Sequence, residues 1–138
     1  MLLFLFGQDT YRSRQRLKEI IEEYKKANPN WLDFVRIDAY NNELEIFEQI
    51  RHTANTVSMF NEKKLIVIEN IFSASQETQQ RILDFLKKKD IEKDKDITIV
   101  FWTEEVEPKN RLSEFFKKSA KVWEFNLLQP YRLREWIR

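Results

Sequence analysis

Glycine, cysteine and histidine are the scarcest residues of this sequence, and each shortage excludes a class of site. The chain of 138 residues has one glycine, no cysteine and one histidine, whereas average usage gives roughly ten glycines at this length. A lone Gly7 excludes the Rossmann fingerprint, the complete Walker A loop and the nucleophile elbow. Without cysteine, and with His52 alone, disulfides, thiol catalysis and multi-histidine zinc sites are excluded. For metal binding or acid–base chemistry only carboxylates remain. We expect no catalytic residue, no metal and no cofactor.

Charge is abundant but balanced. The 24 basic and 23 acidic residues leave a net charge of +1, which predicts no attraction of the whole domain to nucleic acid or to an anionic membrane. The apolar run from Met1 to Phe6 is too short for a signal peptide or a membrane span. These features predict one domain in the cytoplasm, with no membrane partner.

Short apolar runs rich in β-branched and aromatic residues predict strands that are covered on both faces. The runs are Leu2–Phe6, Phe34–Ile37, Leu65–Ile68, Ile97–Trp102 and Val122–Phe125. Between them, apolar residues recur at helical spacing, as in Leu17, Ile20, Ile21 and Tyr24. Pro108 and Pro130 each suit the first turn of a following helix. Strands that alternate with helices predict an α/β fold, a three-layer α/β/α sandwich around a five-stranded parallel sheet.

The loop after the first strand is where a phosphate would bind in such a fold. Here Gly7 is followed by Gln8 and Asp9, which places a carboxylate where phosphate would approach. Asp9 or Thr10 is better explained as the N-cap of the first helix. Glu69 ends the third strand, at the position of a Walker B acid, but without a phosphate loop we expect it to be a solvated strand end.

The remaining charged candidates have structural explanations. His52 lies near a helix end, where a protonated imidazole interacts well with the helix dipole. The charged stretch Lys87–Asp96 is expected to be a solvated helix end and loop. Basic clusters are interpreted as complements of helix dipoles that also aid solubility, although some could contact DNA phosphates within an assembly. They comprise Arg12, Arg14 and Arg16, then Lys87–Lys89, then Lys117, Lys118 and Lys121.

The segment Thr56–Phe60 is the most informative in the sequence. Val57, Met59 and Phe60 stand between a helix and the polar turn Asn61–Lys64, and they do not form one helical stripe. A methionine beside a phenylalanine suits a partner's groove. Equally, Phe60 could fill the core before the next strand, and composition leaves both interpretations open.

The order of these pieces resembles the N-terminal domain of the delta subunit of bacterial DNA polymerase III, a clamp-loader component. The resemblance spans the chain and is strongest in the aliphatic strand followed by Gly-x-Asp-x-Tyr, and in the Phe-x-x-basic-basic segment before the third strand. The segments concerned are Leu3–Tyr11, Val57–Asn70, Lys121–Phe125 and Leu133–Ile137. The low glycine content and the small Val57 depart from the commoner family pattern.

The resemblance implies an AAA+-like, P-loop NTPase-type fold without a functional Walker A loop. It also implies a non-catalytic subunit that binds the sliding clamp (beta subunit) and stabilises its open form during loading onto primed DNA. Val57, Met59 and Phe60 would contact the clamp, with Ser58 as a small spacer. Residues 1–128 would form the clamp-binding domain. Residues 129–138 would begin a linker to a helical domain, and other loader subunits would join further along the chain.

Two other functions stay open on the sequence. One is a degenerate nucleotide-binding or phosphotransfer domain that uses Asp9 and Glu69 with magnesium. The other is a nucleic-acid-binding domain that uses the lysine clusters, for which a near-zero net charge is unfavourable.

Overall fold

In a computed structural model of the chain, residues 1–56, 62–107 and 109–127 are described, apart from the side chains of residues 42–44. Strands and helices alternate along them. The elements are β1 (Leu2–Phe6), α1 (Thr10–Ala27), β2 (Phe34–Asp38), α2 (Ala39–Asn55), β3 (Lys64–Glu69), α3 (Gln76–Lys88), β4 (Ile97–Thr103), α4 (Arg111–Ser119) and β5 (Lys121–Glu124). Short 3-10 turns lie at Ile71–Ser73 and Ile91–Lys93.

The strands form one parallel sheet in the order β2-β3-β4-β1-β5. Phe4 of β1 pairs with Phe101 on one side and with Val122 on the other. Because the strands are parallel, their C-terminal ends share one side of the sheet, here called the carboxyl edge. The opposite side, where β2, β3 and β4 begin, is called the amino edge. The five-stranded parallel α/β fold predicted from the sequence is confirmed.

Helices cover both faces of this sheet, as the near-continuous apolar strands predicted. On one face, α1 packs Leu17, Ile20 and Ile21 against side chains of β1, β3 and β4. On the other face, α2, α3 and α4 bury a larger cluster that includes Phe101 and Phe116. The alternation of side chains along each strand thus supplies two cores.

Side chains cap the first turns of the helices. One of these caps was predicted from the sequence and another was not. Asp9 caps α1 as predicted, its Oδ1 accepting the Arg12 N–H at 3.1 Å. For α4, the cap is Asn110, whose side chain accepts the backbone N–H groups of the first turn. Because α4 begins at Arg111, the prediction that Pro108 occupies its first turn is wrong. The Asn110 side chain fixes the start instead.

The charged stretch Lys87–Asp96 carries one buried apolar residue. Its charged side chains are largely exposed, as predicted, but Ile91 in the 3-10 turn is 1% exposed and joins the larger core. A single apolar residue in a charged run has no periodicity to mark it.

Candidate functional site

The loop between β1 and α1 uses its backbone donors internally. The Gly7 N–H donates to the Glu104 carbonyl at 3.2 Å, and the Asp9 N–H donates to the Phe125 carbonyl at 2.9 Å. The Thr10 N–H donates to Gln8, again within the chain. A phosphate loop needs such N–H groups free and converging on an anion. Here they have other acceptors, and the Asp9 carboxylate occupies the N-terminus of α1.

The chain that follows β5 crosses this loop closely. The Phe125 N–H donates to the Phe6 carbonyl at 2.8 Å, and the Phe125 carbonyl accepts from Asp9. Gly7 has a φ of 137°, and a Cβ there would lie 2.6 Å from the Phe125 carbonyl carbon. The only glycine of the chain therefore serves a close backbone approach. Sequence reasoning missed this role because Phe125 is remote from Gly7 in the sequence.

Glu69 is neither solvated nor free, so the expectation of a solvated strand end is wrong. The residue is 7% exposed. Its Oε1 accepts from Arg14 of α1 and its Oε2 accepts from Arg36 of β2, each at 2.9 Å. A buried carboxylate needs such partners. Both oxygens of the candidate Walker B acid are thus engaged by arginines.

The neighbouring polar groups of the carboxyl edge are also bonded to one another. Asp38 caps α2 by accepting the Tyr40 N–H at 3.0 Å, and it accepts from the Asn70 carboxamide at 3.1 Å. Within the described part of the chain, no three histidine, aspartate or glutamate side chains are grouped as a metal site would require. The hydrogen bonds of Asp38 at this edge connect the end of β2 to the residue after β3 and cap the first turn of α2.

A cavity of about 570 Å³ opens beside these groups. Its lining includes Asn70 and three glutamates, Glu104, Glu105 and Glu107, against one basic residue, Arg14. The excess of negative charge makes the cavity electrostatically unfavourable for a triphosphate.

The arginines of α1 contradict the helix-dipole interpretation given to them. Arg12 and Arg14 lie at the beginning of the helix, where a positive charge is unfavourable to the dipole. The three arginines lie over aromatic rings instead. Arg12 is 5.9 Å from the centroid of Phe125, Arg14 is 3.9 Å from that of Trp102, and Arg16 is 4.4 Å from that of Trp123. Cation–π contacts and the Glu69 ion pair account for their position.

The other basic groups lie where the dipole favours them. His52 is in the last turn of α2, as predicted. Lys87 and Lys88 occupy the last turn of α3, and Lys117 and Lys118 that of α4. These positions support the structural interpretation of both lysine clusters.

The predicted clamp-contacting residues Val57, Met59 and Phe60 lie outside the described residues, but both flanks of their segment are described. Thr56 is the C-cap of α2. Lys64, the first residue of β3, is 7% exposed. Its ammonium donates to the Thr53 carbonyl at 2.7 Å and also to the Thr56 carbonyl. This buried lysine joins the end of α2 to the start of β3.

A second set of contacts holds the residues just before β3. The Lys63 N–H donates to the Asn28 side-chain oxygen at 2.8 Å, and the Lys63 carbonyl accepts from the Tyr24 hydroxyl at 2.7 Å. Burial raises the pKa of Tyr24 to about 12, and the negative charges of Asp33 and Glu62 add to the shift. The end of α1 is thereby attached to the chain that enters β3.

Comparisons with known proteins agree with this architecture. The family model for DNA polymerase III, delta subunit, matches residues 3–126. The Bacillus subtilis DNA clamp loader delta protein is 18% identical, with a TM-score of 0.65 over 93% of this chain and 39% of that one. A DNA polymerase III gamma subunit-related protein from Thermotoga maritima is 17% identical, with a TM-score of 0.67 over 96% of this chain and 43% of that one.

At these identities the solved structures establish the fold, and the chain spans about two fifths of the length of either. No curated protein sequence matches the chain. Across the described ranges, no helix is both long and apolar enough to cross a membrane. Residues 129–138, predicted to begin a linker to a further domain, lie outside those ranges.

Proposed function

We propose that this chain, which belongs to the DNA polymerase III delta-subunit family, binds a sliding clamp and stabilises its open form without hydrolysing ATP itself. The family is that of a clamp-loader component. The observation that carries the non-catalytic part of the proposal is the β1–α1 loop, in which the Gly7 and Asp9 N–H groups donate to backbone carbonyls. Glu69 is held by two arginines. Neither the phosphate-binding loop nor the acidic residue of a nucleotide site is therefore available.

The clamp-contacting residues in this proposal are Val57, Met59 and Phe60, with Ser58 as a small spacer. A large rigid phenylalanine, an adaptable methionine and a smaller valine are suited to an apolar pocket. The flanking contacts of Lys64 and Lys63 support the assignment because they fix the two chain ends from which this segment is presented. A contact presented from fixed ends loses less conformational entropy on binding.

The mechanism is a shift of population. If the segment binds the open ring more tightly than the closed one, its differential affinity sets how far the opening equilibrium moves. No covalent step is needed. In the cell, ATP hydrolysis would belong to other loader subunits, and the assembled loader would contact primed DNA. The chain spans about two fifths of the length of its structural relatives.

Calorimetry with the sliding clamp of the same organism tests the proposal. The wild-type chain should bind, and the double variant Met59→Ala/Phe60→Ala should lose about 3 kcal/mol of binding free energy, as interface hot spots do. The matched control is Tyr40→Ala, because Tyr40 is 70% exposed at the start of α2, at the carboxyl edge. Circular dichroism should show all three proteins equally folded.

Two results would contradict the proposal. A double variant that binds as the wild type does would remove Met59 and Phe60 from the interface. If the wild-type chain does not bind the clamp, the proposed function is wrong, and only the family and the fold remain established.

A further inference from the structure

The loop between α1 and β2 presents two large apolar side chains side by side at the amino edge. Trp31 is 46% exposed and Leu32 is 67% exposed. Exposed apolar residues that stand singly are ordinary, whereas an adjacent pair of this size forms a patch. Neither residue contributes to the two described cores.

Contacts on each side hold this pair in place. The Trp31 N–H donates to the Asn28 carbonyl at 2.9 Å, and Trp31 has a φ of 30°, a conformation that non-glycine residues rarely adopt. The Trp31 ring meets Phe34 edge-on at 6.3 Å, and the Lys25 ammonium lies 4.3 Å from its centroid. The tryptophan is therefore fixed in orientation while about half of it stays exposed.

The pair is also connected to the proposed clamp-contacting segment. The Asn30 N–H and carboxamide donate to Glu62 Oε1 at 3.2 and 2.8 Å, and Glu62 is the first described residue after positions 57–61. Asn28 bonds the next residue, Lys63, at 2.8 Å. The loop that carries Trp31 and Leu32 is thus bonded to Glu62 and Lys63, which follow the proposed clamp-contacting segment in the sequence.

We propose that Trp31 and Leu32 form a second apolar contact on the sliding clamp, next to the contact made by Val57, Met59 and Phe60. This inference rests on the proposed function, and the clamp is the occupant because the loop that carries the pair is hydrogen-bonded to Glu62 and Lys63, which follow the segment assigned to the clamp. Rigid aromatic residues lose little conformational entropy on binding. The loop therefore adds affinity and fixes the orientation of the domain on the ring.

A fluorescent label tests where the clamp sits. The chain has no cysteine, so Leu32→Cys creates a unique thiol for a polarity-sensitive fluorophore. Tyr11→Cys is the matched control, because Tyr11 is 80% exposed in the first turn of α1, at the carboxyl edge. On addition of the clamp, emission from the label at position 32 should shift to the blue and resist an aqueous quencher, while the label at position 11 should be unaffected.

Affinities separate this inference from the proposed function. Leu32→Ser should weaken clamp binding about tenfold, as loss of an interface contact does, and Tyr11→Ser should leave it unchanged. Suppose that Met59→Ala/Phe60→Ala abolishes binding while Leu32→Ser binds normally and the label at position 32 stays accessible. The proposed function then stands, and this inference is overturned.

Two other outcomes also decide against the second contact. A blue shift that grows with the concentration of the chain alone would assign the patch to self-association instead of the clamp. A wild-type chain that fails to bind the clamp would overturn the inference together with the function on which it rests.

Discussion

Among single residues, Gly7 is held in a backbone conformation and in surroundings that exclude a side chain. Its φ of 137° and the nearby Phe125 carbonyl leave no room for a Cβ, and neither backbone segment can move aside cheaply. We expect Gly7→Ala to lower the free energy of unfolding by about 3 kcal/mol. Urea denaturation measures it against Gln8→Ala, an exposed neighbour, which should change stability by less than about 0.5 kcal/mol. Equal stabilities would refute the close approach.

Tyr24 gives a dependence of stability on pH with a definite sign. Its pKa is about 12 in the folded chain, against 10.0 for a free tyrosine. Between these values the unfolded chain binds fewer protons than the folded chain, so the free energy of unfolding falls as pH rises. Below pH 10 the contribution is fully present.

Denaturation at a series of pH values compares the wild type with Tyr24→Phe. The stability advantage of the wild type should shrink as the pH passes from 10 towards 12. Tyr11→Phe is the control, since Tyr11 is 80% exposed. The free energy of unfolding of this variant, plotted against pH, should run parallel to that of the wild type. An advantage that stays constant over this range would contradict the assignment.

The role of a residue could be predicted from the sequence where its hydrogen-bond partner lies nearby in the chain. Asp9 was predicted as a cap because its side chain accepts from the backbone N–H of Arg12, only three positions further along the chain. The state of Glu69 was mispredicted because its partners come from α1 and β2, which only folding brings together. The same distance in sequence hid the contact of Gly7 with Phe125.

At the scale of elements, the junction between α2 and β3 depends on Lys64. Its buried ammonium satisfies carbonyls at the end of α2, including that of Thr53 at 2.7 Å. Lys64→Met keeps the length of the side chain but leaves these acceptors unpaired, which should cost about 2 kcal/mol of stability. Lys63→Met is the matched control, because Lys63 is exposed, and a change within about 0.5 kcal/mol is expected. Thermal or urea denaturation measures both, and equal effects would contradict this role.

The strands were predictable to within one residue at each end, for a physical reason. Strands buried on both faces carry a continuous apolar run, as in β3, whose six residues are all buried and whose central residues Leu65–Ile68 are all apolar. Single residues that serve one contact, such as the Asn110 cap of α4 and Ile91 in its charged surroundings, carry no periodic signal. The start of α4 and isolated core residues were therefore the features that sequence reasoning missed.

For the whole molecule, the two edges of the sheet are suited to different tasks. The carboxyl edge, where this class of fold usually binds ligands, is bonded internally through Asp9, Asp38 and Glu69. At the amino edge, described contacts hold both flanks of the Val57–Phe60 segment, and Asn30, the residue before Trp31, donates to Glu62. In the described residues, the carboxyl edge thus has its acidic groups bonded internally, whereas the amino edge carries the exposed pair Trp31 and Leu32.

This division predicts that the chain does not bind ATP. Titration with Mg-ATP should produce no saturable heat, and millimolar ATP should leave the melting temperature unchanged, since a ligand of the folded state would raise it. Asp9→Asn separates two causes, because asparagine keeps the cap of α1 while removing the charge. It should still not bind, because the Phe125 backbone remains against Gly7 and Asp9. If Asp9→Asn binds ATP and the wild type does not, the charge of Asp9 is what excludes ATP. Micromolar binding of ATP by the wild type would favour a nucleotide-binding function.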